Sequence, residues 1–265
     1  MALQAGRASS KFVVRYIKAM HHKKAMQSLR SLLKTKFFPS WLVLGLALLF
    51  FTQVLIAADY DIHLSENVLK SAEAKYGPNA RRRLVAWVNL IATNKKTPEA
   101  EKLKLANNFI NRVLYKSDMA NWGKPKYWAT PVEMLASNGG DAEDYAIGKY
   151  FTLLALGVNM ERLQITYVNA MNRPPAEQAH MVVTYYSSRD SMPLVLDNID
   201  PEIKPASERP DLAPVYSFNG DGLWAAKERS SGNSEVAGNV NMWNEMNARM
   251  ATELLPTDNS MASIF

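Results

Sequence analysis

The chain has 265 residues, of which 48% are hydrophobic, and its net charge of +6 is unevenly distributed. Residues 1–58 contain nine Lys or Arg and no acidic residue, so the remainder carries 22 basic against 25 acidic residues. That balance excludes a broad basic face for nucleic acid on the body of the protein. The length suits one or two domains, and because there is no cysteine, stability must come from core packing, with or without a bound ion.

The basic segment is followed by an apolar run, Trp41–Ala58, in which Thr52 and Gln53 are the only polar residues. This length falls between a signal-peptide core and a membrane span, which needs about 20 apolar residues. A cleaved signal is favoured over a retained anchor, and both export the residues from about Asp59 onward because the basic flank stays in the cytoplasm. The predicted organisation is therefore a basic region with signal or anchor (1–58) and a single exported domain (59–265).

Helical periodicity dominates the first half of the exported region. The apolar spacing and cap residues predict helices over Ser65–Lys75, Asn79–Thr93 and Thr97 to about Tyr115, a helix start at Thr130–Glu133, and a buried helix from Asp141 to Gly157.

The pattern then changes to that of strands, at Leu163–Asn169, His180–Tyr186, Pro193–Asp197 and Val215–Phe218, followed by a helix near Met242–Leu255. Helices first and strands afterwards predict an α+β fold, in which N-terminal helices pack on an antiparallel sheet.

The stretch Gly139–Ile147, GGDAEDYAI, raises a question of chemistry because an alanine stands in the first turn of an acidic helix start. A thiol at position 142 would have its pKa lowered by the helix dipole, which alanine cannot exploit. His180 opens one predicted strand and Asp197 closes the next, so the two could meet beside position 142 as base and orienting acid of a cysteine-protease triad. The alternative is a structural histidine and an aspartate that caps a turn.

Three acidic residues, Asp141, Glu143 and Asp144, surround position 142. Such residues stabilise a helix N-terminus, but three of them repel one another and would raise the pKa of a neighbouring thiol. A divalent cation would remove both difficulties, and calcium suits an all-oxygen ligand set outside the cytosol. Zinc is disfavoured because the exported region has one usable histidine and no cysteine.

Several motifs resemble the bacterial transglutaminase-like cysteine proteinases of the LapG type over about residues 60–255. They are Tyr127–Glu133, Gly139–Ile147, Lys149-Tyr150, Ala179–Met181 and Leu196–Asn198. The resemblance implies a papain/transglutaminase-like core, with the nucleophile at a helix N-terminus. In this family the central motif reads Gly-Asp-Cys-Glu-Asp, so Ala142 stands where the nucleophilic cysteine is expected.

The resemblance implies a calcium-dependent periplasmic endopeptidase that cleaves a large biofilm adhesin near its N-terminus, within a motif containing paired alanines. It also implies a partner, the periplasmic domain of an inner-membrane cyclic di-GMP receptor that sequesters the protease. Nucleic acid is not an expected partner.

The resemblance also implies roles for individual residues. His180 would be the general base and Asp197 its orienting acid, while Asp141, Glu143 and Asp144 would ligate Ca2+. Trp122 and Trp128 are candidates for lining the cleft or polarising the scissile carbonyl, with core or lid packing as the alternative.

Ala142 implies a form that binds without cutting, and an engineered Cys→Ala change is favoured over a natural origin. The alternatives are a natural calcium-dependent binding module (a pseudoprotease) and an amide transferase of the transglutaminase type.

Overall fold

A computed structural model of the chain describes residues 62–171, 178–220 and 234–254, and all of them belong to one compact unit. The helices are α1 Glu66–Tyr76, α2 Pro78–Asn94, α3 Glu99–Ile110, α4 Asp118–Trp122, α5 Pro131–Ser137, α6 Ala142–Ala155 and α7 Ser234–Leu254. The strands are β1 Leu114–Tyr115, β2 Gly139–Gly140, β3 Leu163–Ala170, β4 Gln178–Tyr185, β5 Leu194–Leu196, β6 Lys204–Pro205 and β7 Leu212–Phe218. None of the helices in these ranges is long and apolar enough to cross a membrane. The predicted export segment, 1–58, lies outside the described residues.

Helix α6 forms the centre of the core. Every residue from Asp144 to Ala155 is buried, and the helix packs against α3, α5, β3 and β4. One buried polar contact joins α6 to α2, since the indole of Trp87 donates to Thr152 Oγ1 at 2.9 Å. Two further helices reach α6 through a tryptophan each, α2 through Trp87 and α7 through Trp243, and both side chains belong to the main apolar cluster.

The main sheet has five antiparallel strands in the order β6-β5-β4-β3-β7. β3 shows the alternation of buried and half-buried residues that a sheet packed on one face requires. The α+β architecture, with helices on an antiparallel sheet, is therefore confirmed.

The sequence prediction was wrong for residues 111–115, whereas the helix start predicted at Thr130–Glu133 is confirmed by α5 and its capping box. The helix expected to reach Tyr115 ends at Ile110, and the chain instead forms β1, which pairs in parallel with β2. Burial of Val113 and a hydrogen bond from Tyr145 Oη to the Val113 carbonyl fix this exit from the helix. Tertiary contacts thus override local helix propensity.

Candidate active site and cation site

Position 142 is the first residue of α6, and Ala142 is half-buried there. Asp141 precedes it as the N-cap in extended conformation, with a φ of −116°. Asp141 and Asp144 form a reciprocal capping box, in which each side chain accepts from the other residue's backbone N–H. The unpaired N–H groups and the dipole of this helix end would favour an anion at position 142.

The glycine pair before the helix forms a packed strand of two residues, β2. Both glycines are buried in β2, and neither has a positive φ. A Cβ on Gly139 would lie 2.6 Å from Lys116 Cδ, and one on Gly140 would lie 2.8 Å from Asp144 Cβ. Glycine is needed here because no side chain fits, and the start of α6 is held in place as a result.

His180 and Asp197 lie together, as the predicted pairing of their strands requires. His180 Nε2 and Asp197 Oδ1 are 2.7 Å apart, and the two side chains are 3% and 0% exposed. Because Nε2 faces the carboxylate, Nδ1 is the nitrogen available to a nucleophile. Helix α6 packs directly on β4, the strand that carries His180.

A third charged residue, Arg209, completes this group, and the sequence analysis had not singled it out. Its Nη2 donates to Asp197 Oδ2 at 2.7 Å and to Asp211 Oδ2 at 2.8 Å. Burial alone would raise the pKa of Asp197, but hydrogen bonds from His180, Arg209 and the Ile199 N–H outweigh it and hold that pKa below its usual range. The carboxylate is therefore ionised and oriented. The sequence signal for the role of Arg209 was its two-residue spacing from Asp211, which permits an ion pair.

Lys149 lies on α6 seven residues after position 142, which places both on one face of the helix. Its side chain is only 1% exposed. Burial lowers its pKa to about 7, although the negative charge of Asp197 acts in the opposite direction. The buried amine of Lys149 is therefore close enough to Asp197 for their charges to interact.

A cluster of carboxylates adjoins the helix start. Asp118, Asp141 and Glu143 can place one oxygen each within 4.8 Å of one another. Asp118 Oδ1 and Asp141 Oδ1 are buried without a hydrogen-bond partner, whereas Asp118 Oδ2 accepts from the Tyr127 N–H at 2.7 Å. Buried carboxylate oxygens that lack a hydrogen-bond donor suit a hard cation, which would offset the cost of their burial.

The electrostatics of this cluster also favour a cation. Burial raises the pKa of Asp118, of Glu143 and of Asp141, the last to about 8, and the negative charges of Glu143 and Asp118 add to the rise for Asp141. A divalent ion would lower these pKa values, because its positive charge favours the ionised form of each carboxyl group. The sequence analysis did not include Asp118 among the metal ligands, because it lies 23 residues before Asp141. A local signal was present, since Ser117-Asp118 is typical of a helix start.

Asp144 occupies a different position from the other two predicted ligands. Its Oδ1 accepts from the Ala129 N–H at 2.7 Å and its Oδ2 from the Asp141 N–H at 3.4 Å. The side chain is 1% exposed and its pKa is raised well above the usual value by burial and then by Asp141. The structure thus brings Asp141 and Glu143 together with Asp118, and uses Asp144 to join the segment at Ala129 to the start of α6.

The two tryptophans have separate environments. Trp128 is 2% exposed and its ring stacks on Phe218 with centroids 6.3 Å apart, which is core packing. Trp122 ends α4, and its ring centroid lies 5.0 Å from that of Tyr127. It lines a cavity of about 540 Å³ together with residues of α1, α5 and α7. Trp122 is thus the tryptophan that borders open space.

Comparison with known proteins gives a consistent result. The model of the family described as bacterial transglutaminase-like cysteine proteinase matches residues 86–211. A comparison with curated proteins found no match.

The structural matches include Legionella pneumophila LapG, which is 40% identical; the match covers 72% of this chain and 99% of that one, with a TM-score of 0.58. The calcium-bound form of that protein matches at 44% identity over 59% of this chain and 84% of its own, with a TM-score of 0.52. The EGTA-treated form matches at 41% identity over 72% and 99%, with a TM-score of 0.58. The identity and coverage establish that the chain belongs to the bacterial transglutaminase-like cysteine proteinase family.

Proposed function

We propose that the chain is an exported, calcium-dependent cysteine endopeptidase whose nucleophile position is occupied by alanine, so that it binds its substrate without cutting it. The observation that carries this proposal is the 2.7 Å contact between His180 Nε2 and Asp197 Oδ1, buried beneath a helix that begins at position 142. An imidazole oriented in this way by a carboxylate is the base that a nucleophilic thiol needs.

A chain with cysteine at position 142 would hydrolyse a peptide bond in the following steps. The thiol proton passes to His180, and the thiolate attacks the carbonyl carbon of the scissile peptide bond. The imidazolium then gives its proton to the leaving amine as the carbon–nitrogen bond breaks. Water, deprotonated by His180, finally hydrolyses the thioester and regenerates the thiol. Asp197, itself held by Arg209, stabilises the imidazolium throughout. Alanine permits none of these steps.

Calcium is the cation that we assign to the acidic cluster, with Asp118, Asp141 and Glu143 as ligands. The unpartnered oxygens of Asp118 and Asp141 support this assignment, as does the calcium-bound form of L. pneumophila LapG. When bound, the ion would supply positive charge beside position 142 and cancel the repulsion that opposes a thiolate there.

The substrate that we propose is a large biofilm adhesin, cleaved near its N-terminus in the periplasm. The proposed partner is the periplasmic domain of an inner-membrane cyclic di-GMP receptor. Both follow from the resemblance to the LapG type, and the export segment predicted from the sequence of residues 1–58 supports the compartment.

The test is to compare Ala142→Cys with Ala142→Ser and the unaltered chain, each incubated with the adhesin's N-terminal fragment in calcium or in chelator. We expect two fragments only from the Cys variant in calcium. An amide transferase would instead produce a cross-linked product when an amine is supplied. If the Cys variant folds, binds calcium and leaves the fragment intact, the chain is a non-catalytic binding module and the proposal is wrong.

A further inference from the structure

An apolar patch lies exposed close to the nucleophile position. Among the described residues, six large hydrophobic side chains are exposed, and three of them fall within one six-residue stretch: Leu114 (57%), Tyr115 (67%) and Met119 (58%). We call these three residues the 114–119 patch. Isolated exposed hydrophobic residues are ordinary on protein surfaces, but three of them within six residues of a segment that is paired with the start of the candidate active site make this segment a candidate for contact with another molecule.

The patch is connected to position 142 through the small parallel sheet. Leu114 is paired with Gly139 and Tyr115 with Gly140, and the chain reaches position 142 two residues later. Strand spacing and rise put Tyr115 on the order of 8 Å from that position. The acidic cluster borders the same patch, since Asp118 directly precedes Met119. After burial, the negative charges of Asp141, Glu143 and Asp118 raise the pKa of Tyr115.

The backbone of β1 offers an open edge at this place. Lys116 donates its N–H to the Gly140 carbonyl at 2.9 Å, and backbone groups alternate in direction along a strand. The N–H and C=O of Tyr115 therefore point away from β2, and within the described residues β1 has no other neighbouring strand. An exposed strand edge is a template for the addition of an extended peptide.

We infer that the 114–119 patch is the docking surface for the substrate polypeptide, which adds to the open edge of β1 as an extended strand and lays uncharged side chains on Leu114 and Met119. This inference rests on the proposed function, because it requires a polypeptide substrate. A polypeptide whose scissile bond reaches position 142 can continue along β1 with its backbone hydrogen bonds satisfied by Tyr115. The patch would thus select an unfolded or extended stretch of the substrate with small or apolar side chains.

The unaltered chain is suited to the test because alanine at position 142 allows binding to be measured without cleavage. We would determine the dissociation constant for the adhesin's N-terminal fragment by calorimetry, in calcium, for Leu114→Ser with Met119→Ser. Matched controls are Met192→Ser and Val215→Ser, whose side chains are 58% and 55% exposed on other parts of the surface. We expect at least about tenfold weaker binding for the patch variant and less than about twofold for the controls.

The strand-addition step has its own measurement. Short peptides that cover the cleaved region, each N-methylated at one backbone nitrogen, lose one hydrogen bond without a change in side chain. We expect the peptide methylated at the nitrogen that donates to the Tyr115 carbonyl to lose binding, and the peptides methylated at the two neighbouring nitrogens, which point away from β1, to keep it.

Two outcomes would overturn the inference: a patch variant that binds the fragment as tightly as the controls do, or one that loses only its binding to the receptor domain. The second would make the patch a receptor surface. Failure of the proposed function is distinguishable, because in an Ala142→Cys background the rate of thiol alkylation by iodoacetamide reports the nucleophile without any substrate. Patch variants that are alkylated at the parent rate but cleave the fragment with a raised KM support the docking role.

Discussion

The buried amine of Lys149 makes a specific prediction about stability. Its side chain is 1% exposed on α6, and burial lowers its pKa to about 7 from the usual value of 10.5. The folded protein therefore disfavours the ammonium form, which the unfolded chain retains up to the higher pKa. We expect Lys149→Met, which keeps the length of the side chain and removes the charge, to stabilise the fold at neutral pH.

The magnitude follows from the shift. One pKa unit corresponds to about 1.36 kcal/mol, so the group costs about 4 kcal/mol at pH 7 and about 2 kcal/mol at pH 9. The sign is fixed by proton binding, since the unfolded state binds more protons than the folded state between the two pKa values. Stability therefore rises with pH in that window. The advantage of the Met variant should be largest at or below pH 7 and should shrink above it.

Urea unfolding at pH 7 and pH 9, followed by tryptophan fluorescence, measures both free energies. The difference between variant and parent cancels the titration of all other groups. Lys104→Met, an exposed lysine on α3, serves as the control and should change stability by less than about 0.5 kcal/mol at both pH values. A Lys149→Met variant that is no more stable than the parent at pH 7, or whose advantage is the same at pH 9, would refute the reasoning.

Three further changes test the site and its frame. Arg209→Met deprives two carboxylates of their guanidinium and should cost about 3–5 kcal/mol in the free energy of urea unfolding; no loss would show that the pairing is dispensable. Asp118→Asn should weaken calcium binding at least about tenfold by calorimetry, whereas Asp200→Asn, a carboxylate outside the cluster, should leave the affinity unchanged. Gly140→Ala forces a Cβ to within 2.8 Å of the side chain that caps α6 and should lower the unfolding free energy by about 1–3 kcal/mol. Gly238→Ala, which meets nothing within 4 Å on a helix, should raise it by about 0.5–1 kcal/mol, and equal effects of the two changes would contradict the steric argument.

Elements with a strong local pattern could be predicted from the sequence. The helix beginning near Asp141 and the strands that contain His180 and precede Asp197 were placed from periodicity and turn residues, and the contact between imidazole and carboxylate followed from the pairing of neighbouring strands. These signals lie within a few residues of the features that they determine.

The rest depended on partners far away in the sequence. β1 and β2 are each two residues long, which is too short for a hydrophobic periodicity to be recognised in the sequence. Each is a strand only because it pairs with the other. Asp118 joins the acidic cluster only because the loop after α4 returns to Asp144 through Ala129, and Arg209 reaches Asp197 across the sheet edge. Such contacts are set by tertiary packing, which a reading of local periodicity does not capture.

The double hydrogen bonding of Asp144 has a consequence for the side chain two positions earlier. The start of α6 is fastened by this carboxylate, by the reciprocal bond from Asp141 and by the tight fit of Gly140, and none of these contacts uses the atoms beyond Cβ at position 142. The surrounding backbone is therefore indifferent to what occupies that position. Alanine, serine or cysteine can be exchanged there within one rigid frame, so a form that only holds its target keeps the shape of a form that cuts it.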